Sequence, residues 1–267
     1  MNARRIGAVA LRQFYLYTGS PTRVVPLFIW VGIDIVLWGF ITRYLNRIAS
    51  PGFNFVPALL GAVLLWDFLT RVMQGISTAF LEEVWSRNFL NLFATPLTIS
   101  EYLAGLVITS IGTSLIGLAT MLCLATLVFG LSFFAYGAAI LPFLLVLFLS
   151  GIALGIAATA MMLRLGPASE WFVWPMPAML SPFAGVFYPI STLPSWMQWV
   201  SRILPPSYVF EGMRAIVRGT LWNPATLAIG FALSVVYILA AGWLFERVFR
   251  VAVRTGLLAR YSAESTT

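Results

Sequence analysis

The stretch AAILPFLLVLFLSGIALGIAATAMML, residues 138–163, determines the fold class because it contains no charged side chain. It is longer than the about 20 apolar residues that an α-helix needs to cross the hydrocarbon core of a membrane. The whole chain agrees, since 60% of its residues are hydrophobic and 9% are charged, against about 45–50% and about 25% in soluble domains. The sequence therefore predicts an integral membrane protein.

Similar apolar segments divide the rest of the 267-residue chain. The predicted transmembrane segments are residues 24–44, 55–80, 102–129, 138–163, 171–188 and 225–249. This spacing predicts an all-α, polytopic membrane protein with six transmembrane helices in one domain, residues 1–267. The segment 171–188 is short and holds Pro175, Pro177 and Pro182, which favour a kink or a break in a helix.

Two further segments are predicted to form helices that do not span. Residues 1–22 carry Arg4, Arg5 and Arg12 with apolar residues at helical spacing, a pattern typical of an amphipathic helix that lies in the headgroup plane of the membrane. Residues 190–222 are apolar but interrupted by prolines, so we expect short interfacial or re-entrant helices there, before the last span.

Charged residues give the predicted orientation. The chain has 16 basic residues, all arginine, and a net charge of +7. The arginines stand singly or in pairs between apolar segments, which favours membrane topology over nucleic-acid binding. With six spans, ten arginines fall on the side of the two termini, five fall on the other side, and Arg71 lies within a span. Because cytoplasmic loops are enriched in arginine, we expect both termini in the cytoplasm.

Several chemistries are excluded by missing residue types. Lysine and histidine are absent, and Cys123 is the single cysteine. Without lysine the chain lacks the group with which a phosphate-binding loop reaches ATP, and without histidine it has no Ser-His pair and no imidazole ligand for zinc or haem. We therefore expect a non-enzymatic subunit with no catalytic residue, no metal site and no directly bound cofactor.

The most polar internal stretch, residues 82–93, has the spacing of a short amphipathic helix. A soluble partner can contact only such elements outside the membrane, so this stretch is a candidate docking segment. A solvated helix without a partner is the alternative. The candidate contact residues are Glu82, Glu83, Trp85, Arg87, Asn88 and Asn91.

Three ionisable side chains lie inside predicted spans: Asp34, Asp67 and Arg71. Asp67 and Arg71 are four residues apart, which places them on one helix face and predicts an ion pair that faces the bundle interior. Asp34 has no local arginine, so it is protonated, contacts another helix or subunit, or lines a wet cavity. We expect the helix or subunit contact, with a cation or proton site as the alternative.

Two smaller patterns complete the set of candidates. Glu211, Arg214 and Arg218 share one helix face within residues 190–222. A local ion pair that neutralises charge near the membrane explains them, and an outer gate for substrate is the alternative. Gly151 and Gly155 form a small-residue strip of the kind that lets membrane helices approach closely.

A family resemblance rests on two regions. The first contains Glu83, Arg87, Leu90, Leu92, Thr95-Pro96-Leu97, Glu101 and Gly105. The second, more specific region is Ser181-Pro182-Phe183-Ala184-Gly185-Val186-Phe187-Tyr188-Pro189, continued by Leu193-Pro194, Trp196, Pro205, Tyr208, Glu211-Gly212, Arg214 and Gly219. Together they resemble the ABC type-2 transporter permeases, the membrane subunits of bacterial exporters whose ATPase is a separate protein.

The resemblance implies that residues 82–93 are a coupling helix seated in a cleft of the ATPase. It also implies two permease and two ATPase copies per transporter, with ATP and Mg²⁺ bound by the ATPase. The predicted function is therefore the permease subunit of an ABC exporter, a homodimer or heterodimer surrounded by membrane lipid in the plasma (inner) membrane of a bacterium. The alternative is an ion-coupled secondary transporter or channel that uses Asp34, Asp67 and Arg71 as ion-coupling groups.

Overall fold

The computed structural model describes residues 1–48, 56–86, 91–92, 94–131, 137–166 and 169–256, which form helices and connecting turns. The helices are α1 (Ala3–Thr18), α2 (Pro21–Ile48), α3 (Gly61–Trp85), α4 (Ile99–Phe129), α5 (Ile140–Leu165), α6 (Glu170–Val173), α7 (Met176–Ala184), α8 (Ser195–Ile203), α9 (Pro205–Val217) and α10 (Pro224–Arg254). A π-helical turn, Val56–Leu60, leads directly into α3. The all-α class is confirmed for these residues.

Five helical segments in the described part of the chain are long and apolar enough to cross a membrane. They are Pro21–Ile48, Ala58–Val84, Ile99–Phe129, Gly137–Leu165 and Pro224–Arg254. Each of them contains most of one predicted span, so these five predictions are confirmed as membrane-length helices.

The predicted span 171–188 is not one of the five, because this proline-rich region is divided into α6 and α7. Even as one straight helix, Glu170 to Ala184 would measure only about 22 Å, less than the about 30 Å of a hydrocarbon core. The sixth span therefore stays a prediction. The shared cytoplasmic location of the termini, which depends on an even number of spans, stays one too.

Helix α3 lies at the centre of the bundle. Its membrane-length window is 72% buried, against 19% for the window in α2 and 22% for that in α10. It packs against both α4 and α5, while α10 packs on α5, and α1 and α2 pack on α4. A displacement of α3 would therefore act on both α4 and α5.

Local sequence accounts for the ends of several helices. Thr98 and Glu101 form a capping box at the start of α4, in which each side chain accepts a hydrogen bond from the backbone N–H of the other residue. Gly185, with φ of 65°, ends α7 in the left-handed region that glycine adopts without steric cost. Asn223 caps α10, and Pro224 occupies its first turn.

The amphipathic segments form helices where they were predicted. Helix α1 lies within residues 1–22, and α8 and α9 lie within residues 190–222. Helices of these lengths are too short to span a membrane. Their placement at the membrane surface or in a re-entrant hairpin stays a prediction.

Candidate functional site

The candidate docking segment begins inside α3 rather than as a helix of its own. Glu82, Glu83 and Trp85 form the last turn of α3, which ends at Ser86. Asn91 is exposed to solvent. Arg87 and Asn88 lie outside the described residues, as does the side chain of Trp85. The structure thus joins the segment directly to the central helix of the bundle.

Glu83 faces α1 rather than solvent, since it is 1% exposed. Its Oε1 accepts a hydrogen bond from Nε2 of Gln13 at 3.2 Å, and it pairs with the guanidinium of Arg12. Gln13 is itself 1% exposed. Because both side chains are buried, Glu83 fastens α1 to the end of α3 and presents little surface to a soluble partner.

Two further carboxylates repeat this arrangement. Glu101 accepts a hydrogen bond from the backbone N–H of Asn2 at 2.7 Å, and its Oε2 lies 3.5 Å from Nη1 of Arg5. Oε2 of Glu82 lies 3.3 Å from Nη1 of Arg23. We call the six paired residues the N-terminal anchor: Arg5, Arg12, Arg23, Glu82, Glu83 and Glu101. Arg5 and Arg12 of the predicted amphipathic segment are thus paired within the chain.

Gly105 shows why α1 can lie so close to α4. A Cβ added at Gly105 would stand 2.6 Å from Cβ of Val9 and 3.3 Å from the carbonyl oxygen of Ile6. Side chains larger than hydrogen do not fit such a crossing. Gly105 is one of the residues on which the family resemblance rests, and here it serves the contact between α1 and α4.

Asp34, Asp67 and Arg71 come together at one cavity of about 540 Å³. Asp67 and Arg71 come from α3, and Asp34 comes from α2. Both Asp67 and Arg71 line this cavity, as expected for two side chains on one face of α3, and their ion pair stays a prediction. Asp34 lines the same cavity, and its contact with another helix or subunit stays a prediction.

Glu211 and Arg214 tie α9 to the end of α7. Nη2 of Arg214 donates to Oε1 of Glu211 at 2.8 Å, and Nη1 donates to the carbonyl oxygen of Gly185 at 2.5 Å. Oε1 of Glu211 also accepts from the backbone N–H of Ile190 at 2.8 Å. The predicted local ion pair is confirmed, whereas Arg218 lies exposed at the C-terminus of α9.

Replacing Arg214 by methionine is expected to lower the free energy of unfolding by about 1–3 kcal/mol, because it removes charge-assisted hydrogen bonds from a side chain that is only 11% exposed. Thermal unfolding in detergent measures this loss. Arg218→Met, which removes the same charge from an exposed position, is the matched control and should stay within about 0.5 kcal/mol of the unmodified protein. Equal effects of the two substitutions would contradict a specific role for Arg214.

Comparisons with known proteins agree on one family. A family model described as ABC-2 family transporter protein matches residues 14–245. The chain is 26% identical over 222 residues to the inner membrane transport permease YadH of Escherichia coli K12, covering 81% of this chain and 83% of that protein. The same values hold for the YadH protein of Shigella flexneri.

Proposed function

The chain belongs to the ABC-2 family of transporter proteins and is a membrane permease, and on this basis we propose that it forms the translocation path of an ATP-binding-cassette exporter. In this proposal a separate ATPase binds ATP and Mg²⁺, and the permease supplies no catalytic residue. Two permease copies, identical or closely related, assemble in the inner membrane of a bacterium with their termini in the cytoplasm.

The observation that carries the proposal is the position of the N-terminal anchor beside the docking segment. Glu82 and Glu83, the first residues of the docking segment, occupy the last turn of α3, and the rest of the segment, residues 86–93, follows directly. Glu83 pairs with Arg12 of α1, and Glu82 pairs with Arg23 at the start of α2. These ion pairs link the last turn of α3 to both helices. A push by the ATPase on residues 86–93 therefore moves the ends of α1, α2 and α3 together.

Close packing supports transmission of that push along α3. A Cβ added at Gly151 of α5 would stand 2.8 Å from the carbonyl oxygen of Leu69, and one at Gly155 would stand 3.0 Å from that of Met73. Tightly packed helices shift as units rather than deforming. In our proposal, closure of the ATPases on ATP tilts α3 with its neighbours, and a path between the two permease copies opens to the outside.

Substituting Asn91 by arginine tests the docking segment. Asn91 is exposed, and a new charge in a protein interface disfavours the complex. We expect the permease to bind its ABC ATPase about tenfold more weakly or worse and to lose stimulation of ATP hydrolysis in liposomes. The measurements are co-purification with the ATPase of the neighbouring reading frame and phosphate release.

The control is Leu221→Arg, which adds the same charge at a fully exposed position between α9 and α10. If Asn91→Arg leaves the association with the ATPase unchanged, the docking segment is not part of the interface. The exporter proposal itself fails if no ABC ATPase associates with the permease. Transport driven by an ion gradient in ATPase-free liposomes would support the secondary-transporter alternative instead.

A further inference from the structure

The cavity that holds Asp34, Asp67 and Arg71 is an elongated cleft along α3. Its lining on α3 runs from Asp67 through Gln74 and Thr78 to Glu82, a length of about 22 Å at the rise of an α-helix. Its other walls come from α2, α4 and the C-terminal end of α1. The cleft therefore connects the N-terminal anchor with the middle of the bundle, and its volume of about 540 Å³ is that of a small-molecule site.

Negative charge is in excess at the deep end of this cleft. Near its mouth, Glu82 and Arg23 neutralise each other at 3.3 Å. At its deep end, the described lining residues include two carboxylates, Asp34 and Asp67, and one guanidinium, that of Arg71. With these side chains ionised, the described lining of the deep end carries one more negative than positive charge.

Asp67 provides a second, independent sign of a ligand. Its Oδ2 is buried and accepts no hydrogen bond from the residues that the structure describes. A buried oxygen of this kind costs free energy unless a donor or a cation satisfies it. A charged carboxylate in the middle of a membrane span costs still more. A cation bound in the cleft beside Asp67 would balance the charge of this carboxylate.

Aromatic side chains complete the walls. Tyr17, Trp30 and Trp174 line the cleft, and the two tryptophans are 63% and 48% exposed, so that they stand at its open side. Aromatic faces attract cations and also bury apolar groups. An anion, in contrast, would meet two carboxylates and only one guanidinium. The lining thus fits a molecule that combines a positive centre with an apolar body.

We propose that this cleft binds a lipophilic organic monocation, with its charged centre at Asp34 and Asp67 and its apolar body against Trp30 and Trp174. This proposal rests on the proposed function in one respect, since it makes such a cation the cargo of the exporter. The cation enters at the end of α3 that carries Glu82, the end beside the docking segment.

Saturable binding of tetraphenylphosphonium to the full-length permease in phosphatidylcholine nanodiscs tests the proposal. Tetraphenylborate has the same shape and the opposite charge, and we expect no saturable binding of it. Asp67→Asn should weaken phosphonium binding at least about tenfold, because it removes a buried charge partner. Asp34→Asn, on a different helix and in a half-buried position, should also weaken phosphonium binding. This second variant tests the proposal if the Asp67 variant does not fold.

The matched control is Glu246→Gln, which removes one negative charge from a 58% exposed side chain outside the cleft and should leave binding within about twofold. Equal binding of the borate, or phosphonium binding unchanged in both aspartate variants, would overturn the proposal.

If an ABC ATPase associates normally in that case, only the cation site fails. If binding depends on the aspartates but no ATPase associates, the cleft stands and the exporter proposal fails.

Discussion

Replacing Glu83 by alanine will release α1 from the bundle and lower the free energy of unfolding by about 3 kcal/mol. The substitution leaves Arg12 without its carboxylate and leaves the amide of Gln13, which is 1% exposed, without its acceptor. A typical domain has a free energy of unfolding of about 5–15 kcal/mol, so this loss is a large part of it. Chemical unfolding in detergent measures the loss of stability.

Trypsin cleavage reports the release of α1 separately, because Arg5 and Arg12 lie within that helix and pair with buried carboxylates. We expect fast cleavage at these arginines in Glu83→Ala and slow cleavage in the unmodified protein. Glu246→Ala, which breaks the exposed pair with Arg250 at 3.7 Å, should change stability by less than about 1 kcal/mol. Protection of α1 that survives Glu83→Ala would show that the helix is held by other contacts.

The same variant separates anchoring from docking. The sequence indicated Glu83 as a residue that contacts a soluble partner, whereas its burial assigns it to the contact with α1. If the anchor carries the push of the ATPase, Glu83→Ala keeps ATPase association but loses stimulation of ATP hydrolysis. Asn91→Arg, in contrast, is expected to weaken the association with the ATPase itself.

The spans were predictable from the sequence because the length of an apolar segment is a local property. The five membrane-length helices coincide with predicted segments for that reason. The region 171–188 has the composition of a span, yet its prolines interrupt the backbone hydrogen bonds, and two short helices result. Composition indicates that a segment is apolar, but the positions of its prolines decide whether it continues as one helix.

The site was predictable only in part, because its contacts join residues that are distant in sequence. Asp67 and Arg71 were placed on one face by helical spacing, whereas nothing in the sequence indicated that Asp34 of α2 would line the same cavity. Glu101 belongs to the capping box at the start of α4, which is a local contact. Its hydrogen bond to Asn2, 99 residues away, depends on how α1 packs on α4, which no local pattern specifies.

Replacing Gly151 by isoleucine is expected to have the largest effect on the folded protein, at about 3 kcal/mol or more. A Cβ at Gly151 alone would stand 2.7 Å from Cβ of Val72 and 2.8 Å from the carbonyl oxygen of Leu69. The second contact is to backbone, so it cannot be relieved by a change of rotamer. The helices α3 and α5 must then separate at their packed interface, and we expect little monodisperse protein after purification.

A graded series of alanine substitutions isolates this steric effect from a general effect of changing glycine. Gly151→Ala should lower the free energy of unfolding by more than Gly155→Ala, where the nearest atoms are 3.0 Å from the added Cβ. Gly112→Ala, where no heavy atom lies within 4 Å, should stay within about 1 kcal/mol of the unmodified protein. Val72→Ala in the Gly151→Ala background should restore little stability, because it removes Cγ1 but leaves the contacts with Cβ of residue 72 and with the carbonyl oxygen of Leu69. A Gly151→Ala protein as stable as Gly112→Ala would show that α3 and α5 have room to separate at little cost. In that case α3 could not transmit a push from the docking segment to α5 by close packing at this glycine.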